Sequence, residues 1–590
     1  MLHRKDPLVN VLYIDLTHKK YWVENRRELF EEWMGGTGVA VKLLEEELPR
    51  GADPLGPDNV IVFAVGPLTA LYPMASKTVA MFKSPLTGNL GESHAGGRSA
   101  MAIRMAGYGA IVIKGASDVP VYLSIRGRRV FFEDARALWG MANGSTVGRI
   151  IREREPGAGL RTIMRIGRAG ERLVRYACVV TETFRHFGRL GLGAVFGSKK
   201  LKAIAIIGSR SIPVVDGQEY RKVYDEIFRM AVESPLMRKY HDIGTPVNVL
   251  SLNKIGALPT KNLKQSRFEN AEFISGEYLA ERYLGRRVAC SHCPVACIHL
   301  AALREPYEDV PYFYKTTFIS YDYEPIYALG AMLGATSPEG MLRLIDKIDD
   351  LGLDAMSTGV VLAWATEAFE RGMISEKETL VKPNWGNYEA YLRMAEFIVE
   401  QPNDFYKALA MGVEHASKVY GGSDFALAFG GNEMPGYHTG PAAYFGFLVG
   451  ARHSHLDMAG YSLDQKTIGK ELPPQEIVDR LVKEEQWRQV LSSLVVCFFA
   501  RGIYTPEVTV RALKPLGLEY TEESLRELGR RIYINKYRFK LSEGFNLDNL
   551  RIPKRIFEVP TPHGYISEDT MRKMVEIFKN YILKEVKNIG

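Results

Sequence analysis

β-Branched and alternating apolar runs fill the first third of the chain. "NVIVFAVGPL", "KTVAMFKSPL", "GAIVIKG", "PVYLSIRGRRVFFE", "LRTIMRIG", "LVRYACVV" and "KAIAIIG" are bounded by Gly, Pro and Asn and read as strands. Their spacing predicts paired sheets or a sandwich rather than βαβ units. After "SRSIPVVDG" the apolar period becomes helical. "SPEGMLRLIDKIDDLGL" opens with Ser337 as N-cap and Pro338 in the first turn, and stops at Gly352. "DAMSTGVVLAWATEAFERGMI", "NYEAYLRMAEFIVEQ" and "DFYKALAMGVEHASKVYGG" predict further helices. Beyond residue 426, "PQEIVDRLVKEEQWRQVLSSLVVCFFAR" and "TEESLRELGRRIYINKYRFK" continue them. The fold class is α+β: a β-rich domain over 1–211, then two mainly helical domains over 212–425 and 426–590. No internal repeat or low-complexity segment interrupts the pattern.

Composition narrows the class. At 590 residues the chain has ample apolar content for a large core. The formal net charge of +7 is spread along the chain, without the basic block of a nucleic-acid binder. No run reaches the roughly 18 uncharged apolar residues of a spanning helix. "MLHRKDPLVNVLYIDLTHKK" does not read as a signal peptide. A soluble, cytoplasmic protein with no membrane or nucleic-acid partner is expected. Glutamine is scarce while Glu, Lys and Arg are plentiful, a bias of thermophile proteins.

Five cysteines are too few for a disulfide framework. Cys290, Cys293 and Cys297 nonetheless crowd into "VACSHCPVACIHL". An iron–sulfur cubane needs four thiolates, and only Cys178, in "VRYACVV", and Cys497 could complete the set. Zinc is the alternative, with His292 or His299 as fourth ligand; unliganded thiols are the third reading.

Other residues carry chemical potential. Glu324, in "YDYEPIYALGAMLG", has apolar neighbours; burial there would raise its pKa and suit it to general acid–base work, whereas a solvated turn residue would do nothing. His453 and His455 lie two apart in "GARHSHLDMAGY", as a site or as structural histidines. "FKSPLTGNLGESHAGGRSA" and "FRHFGRLGLGAVFGSKK" are Gly-rich loops able to offer backbone N–H groups to phosphates. "GGTG" at 35–38 follows a helix-like run, so it is not a dinucleotide fingerprint.

In order and spacing these pieces resemble the tungsten-dependent aldehyde:ferredoxin oxidoreductase family, from near Met34 to about Arg555. "GGTG", "NVIVFAVGPLTA", "FKSPLTG", "AGGRSAMAIRMAGYGAIVIKG" and "GRLGLGAVFGSKKLKAIAI" follow the family order. "DDLGLD" is similar to its first pterin motif, and "RFKLSEGFNLDNLRIPKR" to its C-terminal segment.

The resemblance implies an N-terminal pair of sheets cradling a tungsten bis-pterin cofactor (tungstopterin), covered by two helical domains. It implies a [4Fe–4S] cluster on Cys290, Cys293, Cys297 and Cys497. Pterin phosphates, bridged by Mg²⁺, would lie near Lys77, near His94, Ala95 and Gly96, and near Phe187, Gly188 and Gly191. Asp349, Gly352, Leu353 and Asp354 would line one pterin. Glu324 and His455 match the active-site glutamate and histidine, with His453 the second choice. "GNEMPGYHTGPAAYFG" would line the substrate pocket.

Three departures stand out. The second pterin motif reads "SSLVVC", with Ser492 for its Asp and Val495–Val496 for Gly–Leu. Asp457 stands where some members have Lys. No Glu-x-x-His occurs, so a subunit-bridging iron is not expected, and the oligomeric state stays open. The activity implied is aldehyde oxidation to carboxylate, with electrons passed to a ferredoxin or ferredoxin-like subunit; Arg282, Arg286 and Arg287 would steer an acidic partner. The alternatives are another substrate or the reductive direction within the family, or an iron–sulfur electron-transfer subunit without tungsten.

Overall fold

The computed structural model describes residues 2–142, 144–155, 157–182, 184–310 and 312–589. Two six-stranded sheets occupy the N-terminal third. The first runs in the order Lys20–Asn25, Asn10–Asp15, Ala110–Lys114, Ile61–Ala64, Thr78–Lys83, Leu90–Ala95. The second runs His186–Phe187, Val179–Thr181, Leu160–Ile166, Leu201–Gly208, Val121–Arg126, Arg129–Asp134. Each is antiparallel except for one parallel pair, Asn10–Asp15 with Ala110–Lys114 and Leu201–Gly208 with Val121–Arg126. The paired sheets expected from the strand pattern are therefore present.

The inner strands Ile61–Ala64 and Leu201–Gly208 are buried at every position, so both faces are covered; this is why they read as continuous apolar runs rather than alternating ones. Lys202, inside the second of them, is tolerated because it pairs with Glu171. Phe63 of the first sheet meets Phe187 of the second edge to face, with ring centroids 5.5 Å apart.

Apart from the helix-like run before "GGTG", which is the helix Arg27–Trp33, the strand reading missed the helices in this part, Gly36–Glu47 among them. That helix explains "GGTG". A Cβ on Gly36 would lie 2.2 Å from the Ser492 carbonyl oxygen, and Gly38 N–H donates to Ser493 Oγ at 3.2 Å. The glycines let a helix approach the backbone of the second pterin-like motif.

Beyond the sheets, helices Pro338–Leu351, Ala355–Glu370 and Tyr388–Glu400 stand where the period puts them. Ser337 Oγ accepts from Gly340 N–H at 3.0 Å, and Gly352 takes φ 75°. Two expectations need correction. "DFYKALAMGVEHASKVYGG" is not one helix but two, Asp404–Leu409 and Val413–Tyr420. The break falls at Gly412, φ 100°, where Glu433 Oε1 accepts from Val413 N–H at 2.9 Å. The helical stretch is also interrupted by a three-stranded antiparallel sheet, Leu284–Val288, Ile298–Pro306 and Tyr314–Tyr321. Its first strand is largely exposed and carries Arg286 and Arg287, which hides it from an apolar pattern. The cysteine segment connects the first two of these strands. Among the described residues no helix is long and apolar enough to cross a membrane.

Candidate active site

A cavity of about 360 Å³ lies where the sheets meet the helices. Cys290, Cys293, Cys297 and Cys497 all face it, brought from two distant segments. Backbone bonds lock those segments together: Cys497 N–H donates to the Met74 carbonyl at 2.9 Å, and Met74 N–H to that of His292 at 3.0 Å. Burial pushes the Cys293 thiol up to about 12, with Cys497 and Cys290 adding to it. Cys297 is raised by burial and by the same two neighbours. Ionised Cys293 and Cys297 would thus be opposed by their neighbouring thiolates, and a bound cationic cluster would relieve that repulsion. Cys178 differs. It is buried just before the strand Val179–Thr181, touches the same cavity, and has Asp349 and Asp354 rather than cysteines as its charged neighbours. Neither His292 nor His299 lines the cavity; His299 Nε2 is bound to the His241 carbonyl at 2.8 Å. A zinc site completed by either histidine is therefore not assembled here.

The glycine-rich loops form the floor. Gly96 must lack a side chain, because a Cβ there would lie 2.7 Å from Cys290 Sγ and 3.5 Å from Lys77 Nζ. A Cβ on Gly188 would meet only the Cβ of His186, at 3.9 Å, so that position opens onto free space. Lys77, His94, Gly96 and Gly188 face the cavity. Ala95 and Phe187 are buried beneath it, and Gly191 holds a turn at φ 90°. Two arginines that the sequence reading did not single out complete the loops. Arg185 pairs with Asp322 at 3.1 Å, and Arg189 pairs with Asp354 at 2.9 Å. Small residues beside fixed cations make a cradle for phosphate groups.

His94 Nε2 lies 2.7 Å from Glu92 Oε1, and Lys536 Nζ lies 2.6 Å from Glu92 Oε2. Burial would raise Glu92, but Lys536 and His94 outweigh it and hold the carboxyl well below its ordinary range. Burial, with Arg452 and Lys536, lowers His94 to about 4 despite Glu92. The imidazole is therefore neutral at pH 7.

Asp349, Leu353 and Asp354 face the cavity, while Gly352 is the left-handed end of the preceding helix. Asp354 caps the next helix, accepting from Met356 and Ser357 N–H. Of the second motif, Val496 faces the cavity and Ser492 is buried outside its wall. Val495 sits at φ 56° and accepts from Lys77 N–H at 3.1 Å.

In the same cavity, His455 Nε2 lies 3.1 Å from Glu324 Oε1, and Tyr437 Oη–H donates to the same oxygen at 3.0 Å. The raised pKa expected for a buried Glu324 is not found. Burial does push it up, but His455 and Tyr437 outweigh that and hold it below the usual range. Tyr437 stacks on Tyr461 with ring centroids 4.3 Å apart. Among the described residues His455 Nδ1 is buried without a partner. His453 is elsewhere: its Nδ1 faces the Phe447 carbonyl at 2.9 Å and its Nε2 faces Lys540 Nζ at 3.0 Å. Asp457 turns away from the cavity to bind Arg452 and to cap the helix that starts at His455.

Known proteins resemble this chain in sequence and in fold. A family model described as the aldehyde ferredoxin oxidoreductase N-terminal domain matches residues 11–208, and one described as domains 2 and 3 matches residues 222–582. The tungsten-containing aldehyde ferredoxin oxidoreductase of Thermococcus kodakarensis is 33% identical over 557 residues, covering 92% of this chain and 90% of that one. Its counterpart from Pyrococcus furiosus is 32% identical over 579 residues, covering 95% and 93%. An aliphatic sulfonate oxidoreductase, WOR-like subunit, from Pyrococcus furiosus is 31% identical over 427 residues, covering 69% and 66%. Among solved structures, the active site complex BamBC of benzoyl coenzyme A reductase with 1,5-dienoyl-CoA gives a TM-score of 0.80 at 20% identity. It covers 99% of both chains, a likeness of fold.

Proposed function

The chain belongs to the aldehyde ferredoxin oxidoreductase family, and from that premise we propose that it oxidises an aldehyde to its carboxylate with water and passes the electrons to a ferredoxin. The overall change is RCHO + H₂O → RCOO⁻ + 3 H⁺ + 2 e⁻. The carrying observation is the Glu324–His455 contact of 3.1 Å in the same cavity as four thiols. Cys290, Cys293, Cys297 and Cys497 would hold a [4Fe–4S] cluster. Lys77, His94, Gly96, Arg185, Gly188 and Arg189 would hold the phosphates of a bis-pterin, with their Mg²⁺, and Asp349 with Leu353 and Asp354 its ring end. When bound, the tungsten pterin supplies a two-electron acceptor and the cluster a one-electron relay.

The protein's own part is positioning and proton transfer. His455 Nε2–H donates to the substrate carbonyl oxygen, where negative charge develops. That donation withdraws a hydrogen bond from Glu324. The carboxylate, still buried, then gains proton affinity as it takes the proton of the attacking water. Tyr437 keeps the carboxylate aimed throughout.

The test is elemental analysis for W, Mo, Fe and Zn on protein made with tungstate in a host that assembles the pterin, followed by aldehyde-dependent reduction of a viologen dye. Tungsten, about four irons per chain and aldehyde turnover are expected. Zinc in place of iron, or metal-replete protein inert toward aldehydes, overturns the reading.

A further inference from the structure

Two guanidinium groups are anchored on Phe498. Arg488 lies over its ring, 4.8 Å from the centroid, and Arg501 Nη1–H donates to its carbonyl at 2.8 Å. Both arginines line the cavity that holds Glu324 and His455. Arg488 is tied directly to that pair. Its Nη1–H donates at 2.7 Å to the carbonyl of Leu456, the residue after His455.

The acids of the cavity do not use these charges. Asp322 pairs with Arg185, Asp354 with Arg189, Asp349 with His186 at 3.1 Å, and Glu324 with His455. Arg488 Nε–H is held at 2.8 Å by Glu484, which lies outside the lining. That grip fixes the guanidinium and leaves its far end open: Nη2 is buried with no partner among the described residues. Among the described residues Arg501 forms no ion pair. Neither arginine belongs to the groups assigned above to the cofactor. A buried charged donor without an acceptor costs free energy, so a bound molecule that supplies the acceptor gains by it. The same lining carries aromatic stacks, Tyr461 on Tyr437 and Tyr240 on Phe499, the latter with centroids 4.2 Å apart. Such walls suit a short hydrocarbon spacer.

We propose that Arg488, assisted by Arg501, binds a carboxylate carried by the substrate, so that the aldehydes this enzyme selects are acidic ones. The aldehyde group meets Glu324 and His455, and the carboxylate at the other end of the molecule meets the guanidinium. The inference rests on the aldehyde reading above and adds the substrate class. Guanidinium groups take carboxylates through paired N–H donors. Arg488 keeps hydrogens for this on Nη2 and, beside the Leu456 bond, on Nη1. The Glu324 carboxylate disfavours the reversed orientation by like-charge repulsion. The oxidation is the one written above, and the second carboxylate passes through it intact.

The probes are succinic semialdehyde and its neutral counterpart butyraldehyde, given to the metal-loaded full chain, with kcat/KM read by viologen reduction. Iron and tungsten are measured first in each protein. Wild type should favour the semialdehyde about 10- to 100-fold, the worth of a hydrogen bond between charged groups. Arg488→Met keeps an apolar stem over Phe498 and should erase that preference; Arg488→Lys should retain part of it. A second measurement needs no turnover. By titration calorimetry succinate should bind loaded wild type more tightly than butyrate does, and Arg488→Met should lose the difference. A wild type without preference between the aldehydes, or one that binds succinate and butyrate equally, overturns the proposal whether or not the variants fold. An equal fall for both aldehydes in Arg488→Met, with the preference kept, also overturns it and makes Arg488 a positioning residue for His455 through the Leu456 carbonyl. Loaded protein inert toward both aldehydes overturns the aldehyde reading, and the substrate class with it.

Discussion

Gly96 and Cys290 are so close that a methyl group on the glycine would lie 2.7 Å from the thiol sulfur. One belongs to the glycine-rich loop after Leu90–Ala95 and the other to the segment between Leu284–Val288 and Ile298–Pro306. Here the proposed phosphate cradle and the proposed cluster ligands share a wall. Gly96→Ala should displace Cys290 or Lys77 and lower both iron and tungsten content, measured by elemental analysis, with little change in secondary structure by circular dichroism. Full loading of both metals would show that the wall yields.

The thiols divide cleanly. Cys497→Ser should lose most of the iron and its visible absorption. Cys178→Ser should keep both, because Cys178 has carboxylates rather than cysteines as charged neighbours, and its backbone N–H to the Gly352 carbonyl, at 2.8 Å, survives the change. The reverse outcome would reassign the fourth ligand.

Much of this was legible and some was not, for reasons that differ by residue. Ser337, Pro338 and Gly352 declared a helix because caps are local chemistry. The apolar strands of the sheets were equally plain. The direction of the Glu324 pKa was not. It depends on Tyr437, 113 residues away, and on His455, neither of which a local reading can supply. Arg189 was visible in "HFGRLG", but its partners Asp354 and Asn432 come from elsewhere in the chain. The strand carrying Arg286 and Arg287 was missed because its exposed face carries no apolar period.

Glu324 and Tyr437 make a pH test. Glu324→Gln should keep tungsten and iron while lowering turnover about 10²–10⁴-fold. In wild type the acid limb of kcat/KM should fall below the ordinary carboxylate range, since the folded enzyme holds Glu324 down. Tyr437→Phe removes one of the bonds that offset burial, so the limb should move to higher pH. A limb that stays in place would mean that Glu324 is not the group titrating.

Glu485 makes the opposite kind of test. Burial first, then Asp457, push its pKa up to about 8. An acid whose folded pKa is raised binds its proton more tightly when folded, so its stabilisation is full below the unfolded pKa and is lost as pH rises through the folded value. Wild-type stability should therefore carry a decline between about pH 4.5 and 8 that Glu485→Gln lacks. The amide oxygen can still accept from Ala451 N–H, which lies 3.0 Å from Glu485 Oε1. Melting temperatures across that range should diverge in favour of the variant as pH rises; parallel curves would remove Glu485 from the account.

Glu92 separates a stabilising role from a positioning one. It is fully buried, takes Thr37 Oγ1–H at 2.8 Å, and faces both His94 and Lys536. Glu92→Gln alone leaves the Lys536 ammonium buried and uncompensated, which should destabilise the fold by about 3–5 kcal/mol. Glu92→Gln with Lys536→Met removes that charge and should recover most of the loss, read as the denaturant midpoint. The carboxylate also fixes the proton of His94 on Nε2, which leaves Nδ1 bare. A bare ring nitrogen is an acceptor or a metal ligand, and a carboxylate on the opposite nitrogen is the usual way to hold it so. If His94 meets the divalent ion or the phosphate end of the cofactor through Nδ1, the stable double variant should still bind the cofactor about 10–100-fold more weakly. Its tungsten and magnesium contents after dialysis should then lie well below wild type. Wild-type retention in the stable double variant would confine Glu92 to neutralising Lys536.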